Sequence, residues 1–250
     1  MARTGRPASR HVASVARAVE ILDELARARG ELGTNEIAWR TGTNVSTISR
    51  ILATLAEGGL VEHVPSTGRY RLGLGVVRLA SAANDGLDIR SLARPYLTEL
   101  VGVLEETATL SVPGEHEAFT LDFVQSPLSV RSVAELGRTS VAHATAVGKV
   151  LLAHGRTVPP GPLKQFTERT IVDRSVLEAE VERIREQGWA WALGEREEDL
   201  NAVASPVLDR AGRLVAILGV QGPAARFSPR VMRRAAELQL ERAALISSAL

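Results

Sequence analysis

The sequence predicts an α+β chain in which a small N-terminal domain of helices ends in a β-hairpin and a larger C-terminal α/β domain follows. Three patterns carry this prediction. Apolar residues recur at three- and four-residue steps through the first part of the chain, as in amphipathic helices. A turn sequence at residues 65–68 separates two short apolar runs, which is typical of a hairpin. Strand-like and helix-like segments alternate from there to the C-terminus, which favours an α/β domain.

Composition excludes several classes of site. The chain has 250 residues and no cysteine, so disulfides, thiolate nucleophiles and cysteine-bound zinc are excluded. Its five histidines are not spaced as metal ligands on a helix face, and we predict neither a metal nor a cofactor. The longest uncharged run, residues 214–225, is too short to cross a bilayer. The basic N-terminus has no apolar segment behind it, so we expect a soluble cytoplasmic protein without membrane contact.

Charge is distributed unevenly along the chain. Residues 1–75 hold 10 arginines against 7 acidic residues, whereas the remainder holds 20 basic and 22 acidic residues. A basic front domain ahead of a nearly neutral one is typical of proteins whose first domain binds nucleic acid.

Two helices are predicted at the start of the first domain. The first runs from Ser14, its N-cap, to about Arg29. Thr34 is expected to cap a short second helix, Glu36 in its first turn suits the helix dipole, and Gly42 ends it. The residues expected to face inward are Val15, Ala18, Val19, Leu22, Leu25 and Ala26 of the first helix and Ile37 and Ala38 of the second.

A third helix carries the first functional prediction. A short helix, a glycine turn and a helix with small hydrogen-bonding side chains at its start form the helix-turn-helix pattern. Serine and threonine hydroxyls approach DNA closely, and arginine binds guanine or phosphate. The expected buried stripe is Ile48, Ile51, Leu52 and Leu55. The expected DNA contacts are Asn44, which is also the N-cap, Val45, Ser46, Thr47, Ser49 and Arg50.

A hairpin after this helix forms a wing. Residues 60–64 and 69–72 are the predicted strands, and Arg69 and Arg71 lie on one face as further DNA contacts. A short helix from about Gly75 follows, and the acidic-glycine pair at residues 85 and 86 is the expected domain boundary.

Alternating strands and helices are predicted for the larger domain. In order, they are a helix over residues 92–106, two strands around a turn at residues 113–117, a third strand at residues 128–136, a helix in "TAVGKVLLAH", a helix in "RSVLEAEVERIREQG" capped by Ser175 and stopped by Gly188, two strands around a turn at residues 209–212, and a final helix that begins with Ser228 and Pro229.

Enzymatic and metal-binding alternatives remain open from the residues alone. His143, Thr145 and Lys149 lie close together in sequence, and a buried lysine can act as a base. The Thr145–Lys149 spacing is four instead of the three of a Ser-x-x-Lys motif, and no acidic partner is identifiable. Glu195 and the acids at residues 197–199 are interpreted as a solvated loop in preference to a metal site.

Several stretches resemble the IclR-type family of transcriptional regulators, in the family's order from about residue 12 to 250. They are "SVARAVEILDELA", "NEIAWRTGTNVSTISRILATLAEGGLVEH" and "GRYRLGLGVVRLA", then "HATAVGKVLLA", "IREQGWAWALGERE" and "VASPVLDRAGRLVAILGVQGP". The resemblance implies a winged helix-turn-helix, a linker helix and an α/β effector-binding domain similar to GAF domains. It implies a homodimer or homotetramer on a palindromic operator in double-stranded DNA, and a regulator, more often a repressor, that responds to a small organic acid.

The implied divisions are a basic flexible arm (1–13), a winged helix-turn-helix domain (14–74), a linker helix (75–86) and an effector-binding and oligomerisation domain (87–250). In the arm, Arg3, Arg6 and Arg10 either enter a minor groove or belong to a disordered tail. The alternative function is an enzyme or small-molecule sensor whose helix-turn-helix serves protein contact only.

The expected effector pocket departs from the family pattern. Relatives that bind small carboxylic acids resemble one another in an aspartate, a cysteine and two serines, and this chain has Ala192, Ala202, Gly219 and Gln221 there. We therefore expect a larger, less polar cavity and an acid of more than three carbons, aromatic or otherwise bulky. The candidate effector-binding residues are Ser132, Thr145, Ala146, Val147, Ala192, Leu200, Ala202, Gly219 and Gln221.

Overall fold

The computed structural model describes residues 12–28, 30–84, 89–158 and 160–250, with the backbone alone for residues 80–84. The chain divides into two compact units, Met1–Gly86 and Leu87–Leu250. The predicted roles of Arg3, Arg6 and Arg10, and the predicted break at residues 85 and 86, lie outside the described residues. Among the residues described, no helix combines the length and the apolar character needed to cross a membrane.

The first unit contains the predicted helices and wing. In order, they are α1 (Ala13–Ala28), α2 (Thr34–Thr41), α3 (Val45–Glu57), β1 (Val61–Val64), β2 (Arg69–Leu72) and α4 (Leu74–Asn84). The two strands pair antiparallel from Val61 opposite Leu72 to Val64 opposite Arg69. Tyr70 also forms a bridge to Leu32, which ties the wing to the segment before α2.

Helix α1 corrects two predictions. It begins at Ala13, and the carbonyl of Val12 accepts its first hydrogen bonds, so Ser14 lies inside the helix and is not the cap. Its buried residues are Ile21 and Leu25, because only the C-terminal half packs on the core of this unit. The predicted inward residues Val15, Val19 and Ala26 are exposed instead.

The ends of α2 depend on two glycines. Gly33, not Thr34, is the N-cap, and its amide donates to the carboxylate of Glu36 over 3.2 Å. Gly42 ends the helix in the left-handed region with φ of 62°, where a side chain would be strained. Ile37 and Ala38 are buried as predicted.

The second unit is a six-stranded antiparallel sheet with helices on both faces, as predicted. Helices α5 and α8 pack on one face, and α6 and α7 pack on the other. The strand order is β5-β4-β3-β8-β7-β6. The elements are α5 (Ile89–Leu104), β3 (Thr107–Pro113), β4 (Glu117–Val124), β5 (Thr139–Val141), α6 (Ala146–Ala153), α7 (Arg174–Gln187), β6 (Ala190–Leu193), β7 (Leu200–Leu208), β8 (Leu214–Pro223) and α8 (Pro229–Ala249).

The third strand of this domain was predicted at the wrong place. Residues 128–136 form no strand, and the strand that extends the sheet is β5. Val130 and Val133, which suggested a strand, are 71% and 54% exposed. The segment is held instead by Ser132, whose carbonyl accepts from the hydroxyl of Thr107 over 2.8 Å.

Two helix starts and one strand also differ from the predictions. Helix α5 begins at Ile89, ahead of residue 92. The cap of α7 is Asp173 instead of Ser175, because its carboxylate accepts from the amides of Ser175 and Val176. Strand β6 was not anticipated, and it pairs with β7 at the edge of the sheet.

A buried ion pair joins α6 to the loop after β6. Lys149, which is fully buried, places its ammonium 2.8 Å and 3.0 Å from the two carboxylate oxygens of Glu195. Glu180 of α7 lies 3.4 Å away. Burial alone would raise the pKa of Glu180, but hydrogen bonds from Arg183 and the charge of Lys149 outweigh it and lower that pKa. Glu195 is therefore the acidic partner of Lys149 that the sequence did not reveal, and it is not part of a solvated loop.

Replacing Lys149 by methionine should lower the free energy of unfolding by about 3–5 kcal/mol, because Glu195 would stay buried without its counter-charge. Denaturant unfolding measures this loss, and the double variant Lys149→Met/Glu195→Gln should recover part of it. Lys164→Met is the control, since Lys164 is exposed. An unchanged unfolding midpoint for Lys149→Met would show that the ion pair does not stabilise the fold.

Candidate functional site

The start of α3 presents a row of small polar side chains to solvent. Asn44 is the N-cap as predicted, and its side-chain oxygen accepts from the amide of Thr47 at 2.8 Å and from the hydroxyl of Ser46 at 2.9 Å. Val45, Ser46 and Ser49 are exposed, whereas Thr47 is half-buried. Asn44 therefore organises the helix start, and its neighbours form the accessible surface.

Arg50 is the exposed cation of this helix, and it borders a groove between α1 and α3. Arg17 of α1 borders the same groove. The ion pairs among the described residues include neither arginine. Sequence reasoning did not select Arg17, although its place on the polar side of an amphipathic helix was the available signal. Two arginines without counter-charges on one surface suit contact with phosphates.

The two arginines of the wing differ in their surroundings. Arg69 forms an ion pair with Glu36 and donates to the carbonyl of Glu31, so it ties the wing to the start of α2. Arg71 pairs across the strands with Glu62 at 3.0 Å, and both side chains are half exposed. An exposed pair of this kind contributes little to stability, and Arg71 is the more accessible of the two arginines.

A cavity of about 70 Å³, partly open to solvent, lies in the second unit on the α6 side of the sheet. This enclosed space is well below the roughly 300–1,000 Å³ of pockets for drug-sized ligands, and the cavity continues toward solvent. The predicted effector residues that line it are Thr145, Ala146, Val147, Ala192, Leu200, Ala202 and Gln221. Ser132 and Gly219 do not line it. Ser132 accepts a hydrogen bond from Gln221 at 2.8 Å and so fixes that side chain.

The surroundings of Gly219 contradict the expectation that its missing side chain enlarges the cavity. It pairs with Thr109 across β3 and β8, and a Cβ atom at position 219 would lie 2.5 Å from the Thr109 hydroxyl and 3.2 Å from Val147. The room that the missing serine leaves is therefore taken by Thr109.

The floor of the cavity carries hydroxyls without partners. Thr109 is 6% exposed and Ser111 is 1% exposed, both line the cavity, and neither hydroxyl has a hydrogen bond to any described residue. Thr145 caps α6 by accepting from the amide of Gly148, and its own hydroxyl donates to a carbonyl. The amides of Ala146 and Val147, at the helix start, have no acceptor within the described part of the chain. These donors together can bind a carboxylate.

Charged groups form the rim of the cavity. Arg138 pairs with Glu197 at 2.6 Å, and both residues also border an open groove outside it. Arg196 lines the cavity beside them and donates to the carbonyl of Thr139 at 2.8 Å. Burial, and then the charge of Arg138, lower the pKa of Arg196. Arg138 lies outside the family motifs quoted above, whereas Arg196 lies within one of them, in the loop that was interpreted as solvated.

The histidine and lysine that suggested catalysis have structural partners. His143 contacts the carbonyl of Lys164 through Nε2 at 2.9 Å and lies beside the ring of Phe166. Lys149 and Glu195 neutralise each other. Over the described residues, no group of three or more acidic or histidine side chains could hold a metal ion.

Comparisons with known proteins agree with this architecture. A family profile described as the IclR helix-turn-helix domain matches residues 14–65, and the bacterial transcriptional regulator IclR C-terminal profile matches residues 81–248. The HTH-type transcriptional repressor AllR of Salmonella typhi is 31% identical over 261 residues, covering 99% of this chain and 96% of that protein.

Solved structures of this family share the fold. An IclR transcriptional regulator from Alicyclobacillus acidocaldarius is 26% identical with a TM-score of 0.82, covering 96% of this chain and 99% of that one. An IclR homolog from Microbacterium hydrocarbonoxydans complexed with 4-hydroxybenzoate is 23% identical with a TM-score of 0.82, covering 94% and 98%. The predicted fold class and family are thus confirmed, and the chain belongs to the IclR family of transcriptional regulators.

Proposed function

We propose that this regulator is a repressor whose operator affinity changes when a small organic acid occupies the cavity of the second unit. The cavity carries this proposal, because its floor holds the unpartnered hydroxyls of Thr109 and Ser111 beside the free amides at the start of α6. Repression is supported by the similarity to AllR, which is named a repressor. A protein that binds chromosomal DNA would act in the cytoplasm, and no enzymatic step is needed.

The proposed DNA contacts are made by the exposed start of α3 and by the wing. Val45, Ser46 and Ser49 would approach base edges, and Arg50 would bind guanine or phosphate. Arg71 would reach the backbone or the minor groove. A palindromic operator fits a homodimer or homotetramer, because each half-site then receives one helix.

The proposed effector is an acid of more than three carbons. A carboxylate on the floor would accept from the Thr109 and Ser111 hydroxyls and from the amides of Ala146 and Val147. The cavity is open to solvent on one side, so an aromatic acid larger than its enclosed volume of about 70 Å³ would extend into the opening. A related fold in another organism holds 4-hydroxybenzoate, which supports this size class.

Arg50→Ala should weaken operator binding by about 1–3 kcal/mol, or roughly 5- to 150-fold, because a charged contact to DNA is lost. If Arg50 contacts phosphate, the slope of log affinity against log salt should fall by about 1. The operator is first selected from random or genomic duplex DNA with the full-length protein, and affinities are then measured by fluorescence anisotropy.

Arg27→Ala is the control for this experiment, because Arg27 is an exposed arginine of the same unit that pairs with Glu24. We expect it to bind the selected operator as the wild type does. If no sequence is enriched even at low salt, or if both variants bind equally well, α3 is a packing helix and the proposal is wrong.

Thr109→Val and Ser111→Ala should each raise the acid concentration needed for half-maximal change in operator binding by about 10-fold, since each removes one hydrogen bond to the carboxylate. Thr98→Val is the control, because its hydroxyl bonds within α5 on the other face of the sheet. Calorimetry with 4-hydroxybenzoate, benzoate, glyoxylate and pyruvate tests the size class. Tight binding of glyoxylate or pyruvate without benzoate-like acids would contradict it.

A further inference from the structure

The rim of the cavity holds an arginine that forms no ion pair with any described residue. Arg196 lines the cavity and is half-buried, and its guanidinium makes one hydrogen bond, to the carbonyl of Thr139. The ion pairs among the described residues do not include it. A partly buried guanidinium that is not paired with a carboxylate is costly, and an anion bound to it would relieve that cost.

Neighbouring charges increase this cost. Burial and the nearby charge of Arg138 both disfavour the charged form of Arg196 and lower its pKa, and the carboxylates of Glu197 and Glu117 offset this only in part. Glu197 is also engaged by Arg138 at 2.6 Å. The rim therefore favours an additional negative group beside Arg196.

The floor of the cavity is buried, whereas its rim is partly exposed. Thr109 and Ser111 on β3 are buried on the floor, next to Val147 of α6. Arg138 and Glu197 are partly exposed and border the groove outside. A carboxylate held by floor hydroxyls and helix amides would leave Arg196 without a counter-charge.

We propose that the effector is a dianion, with one carboxylate on the floor and a second anionic group bound by Arg196 at the rim. This inference rests on the proposed function, and it narrows the effector class from an organic acid to a dicarboxylic or similarly doubly acidic compound. A guanidinium binds a carboxylate with two parallel hydrogen bonds, which makes Arg196 the residue that selects for the second charge. Arg138 would contribute if its bond to Glu197 opens.

The test uses the full-length protein and two matched pairs of probes. Terephthalate is compared with 4-carbamoylbenzoate, and succinate with succinamate, so that one carboxylate becomes a neutral amide of similar shape. Calorimetry should show that the dianion of at least one pair binds about 10- to 100-fold more tightly than its amide. Arg196→Met should abolish this preference, whereas Arg210→Met, in the exposed turn after β7, should retain it.

A ligand-free measurement separates binding from a structural role. Arg196→Met removes an uncompensated cation, so it should raise the Tm of the ligand-free protein by roughly 2 °C or more. A lower Tm would mean that Arg196 stabilises the fold through its hydrogen bond to the carbonyl of Thr139, and it would overturn the inference. Glu197→Gln should release Arg138 and tighten binding of the dianion, whereas Glu198→Gln, an exposed neighbour, should not.

The outcomes separate this inference from the proposed function. Equal binding of dianion and amide, no binding of any probe, or an unaltered preference in Arg196→Met would each overturn the dianion. If only a monoanion binds and it changes operator affinity, the proposed repressor function would be supported and the dianion inference would be overturned. If a dianion binds through Arg196 but operator affinity does not change, the proposed function would be contradicted. The inference that the cavity binds a dianion would still be supported.

Discussion

The buried ion pair between Lys149 and Glu195 determines the geometry of the cavity. It fixes α6 relative to the loop between β6 and β7, so one contact positions both the helix start and the rim. Hydroxyls of Thr167 and Thr170 donate to the carbonyls of Gly194 and Glu195 at 2.7 and 2.6 Å and hold the same loop. A buried ion pair is stabilising only if its geometry is maintained. The contact between Lys149 and Glu195 therefore favours one arrangement of α6 and this loop, which form walls of the cavity.

The polar groups of the cavity are divided by type. The donors on the buried floor are uncharged hydroxyls and helix amides. Leaving them without a protein partner destabilises the fold less than leaving a charge there, because the cavity is partly open to solvent. Formal charge is kept at the rim, where Arg138, Arg196 and Glu197 retain some contact with solvent. Lys149 is fully buried and paired with Glu195, so its charge is not available to an anion in the cavity.

Local features of the fold could be predicted from the sequence, because their causes are local. Asn44 caps α3 through its own side chain, and the turn at residues 209–212 joins β7 and β8 as its sequence indicates. Failures arose where tertiary contacts decide. Val15 fits the apolar period of α1, yet that half of the helix lies outside the core. The third strand was misplaced because Val130 and Val133 supply a strand pattern without a neighbouring strand to pair with.

The candidate sites show the same limit. The polar start of α3 was predicted because the motif is contiguous, whereas Arg17 joins Arg50 only through the packing of α1 on α3. Thr109 and Ser111 were recognised as strand residues, but which face of β3 lines the cavity depends on its pairing with β8. Arg196 is one charge in an acidic run, and nothing in that run indicates that it turns toward the cavity.

Thr109 and Gly219 lie opposite each other on the paired strands β3 and β8, and the Thr109 side chain occupies the space that a side chain at position 219 would need. A side chain gained at position 219 requires one to be lost at position 109, since the two would overlap. A side chain at position 219 is therefore disfavoured as long as Thr109 is present. The space beside α6 is set by these two positions jointly, so comparing one position at a time misjudges the room in the cavity.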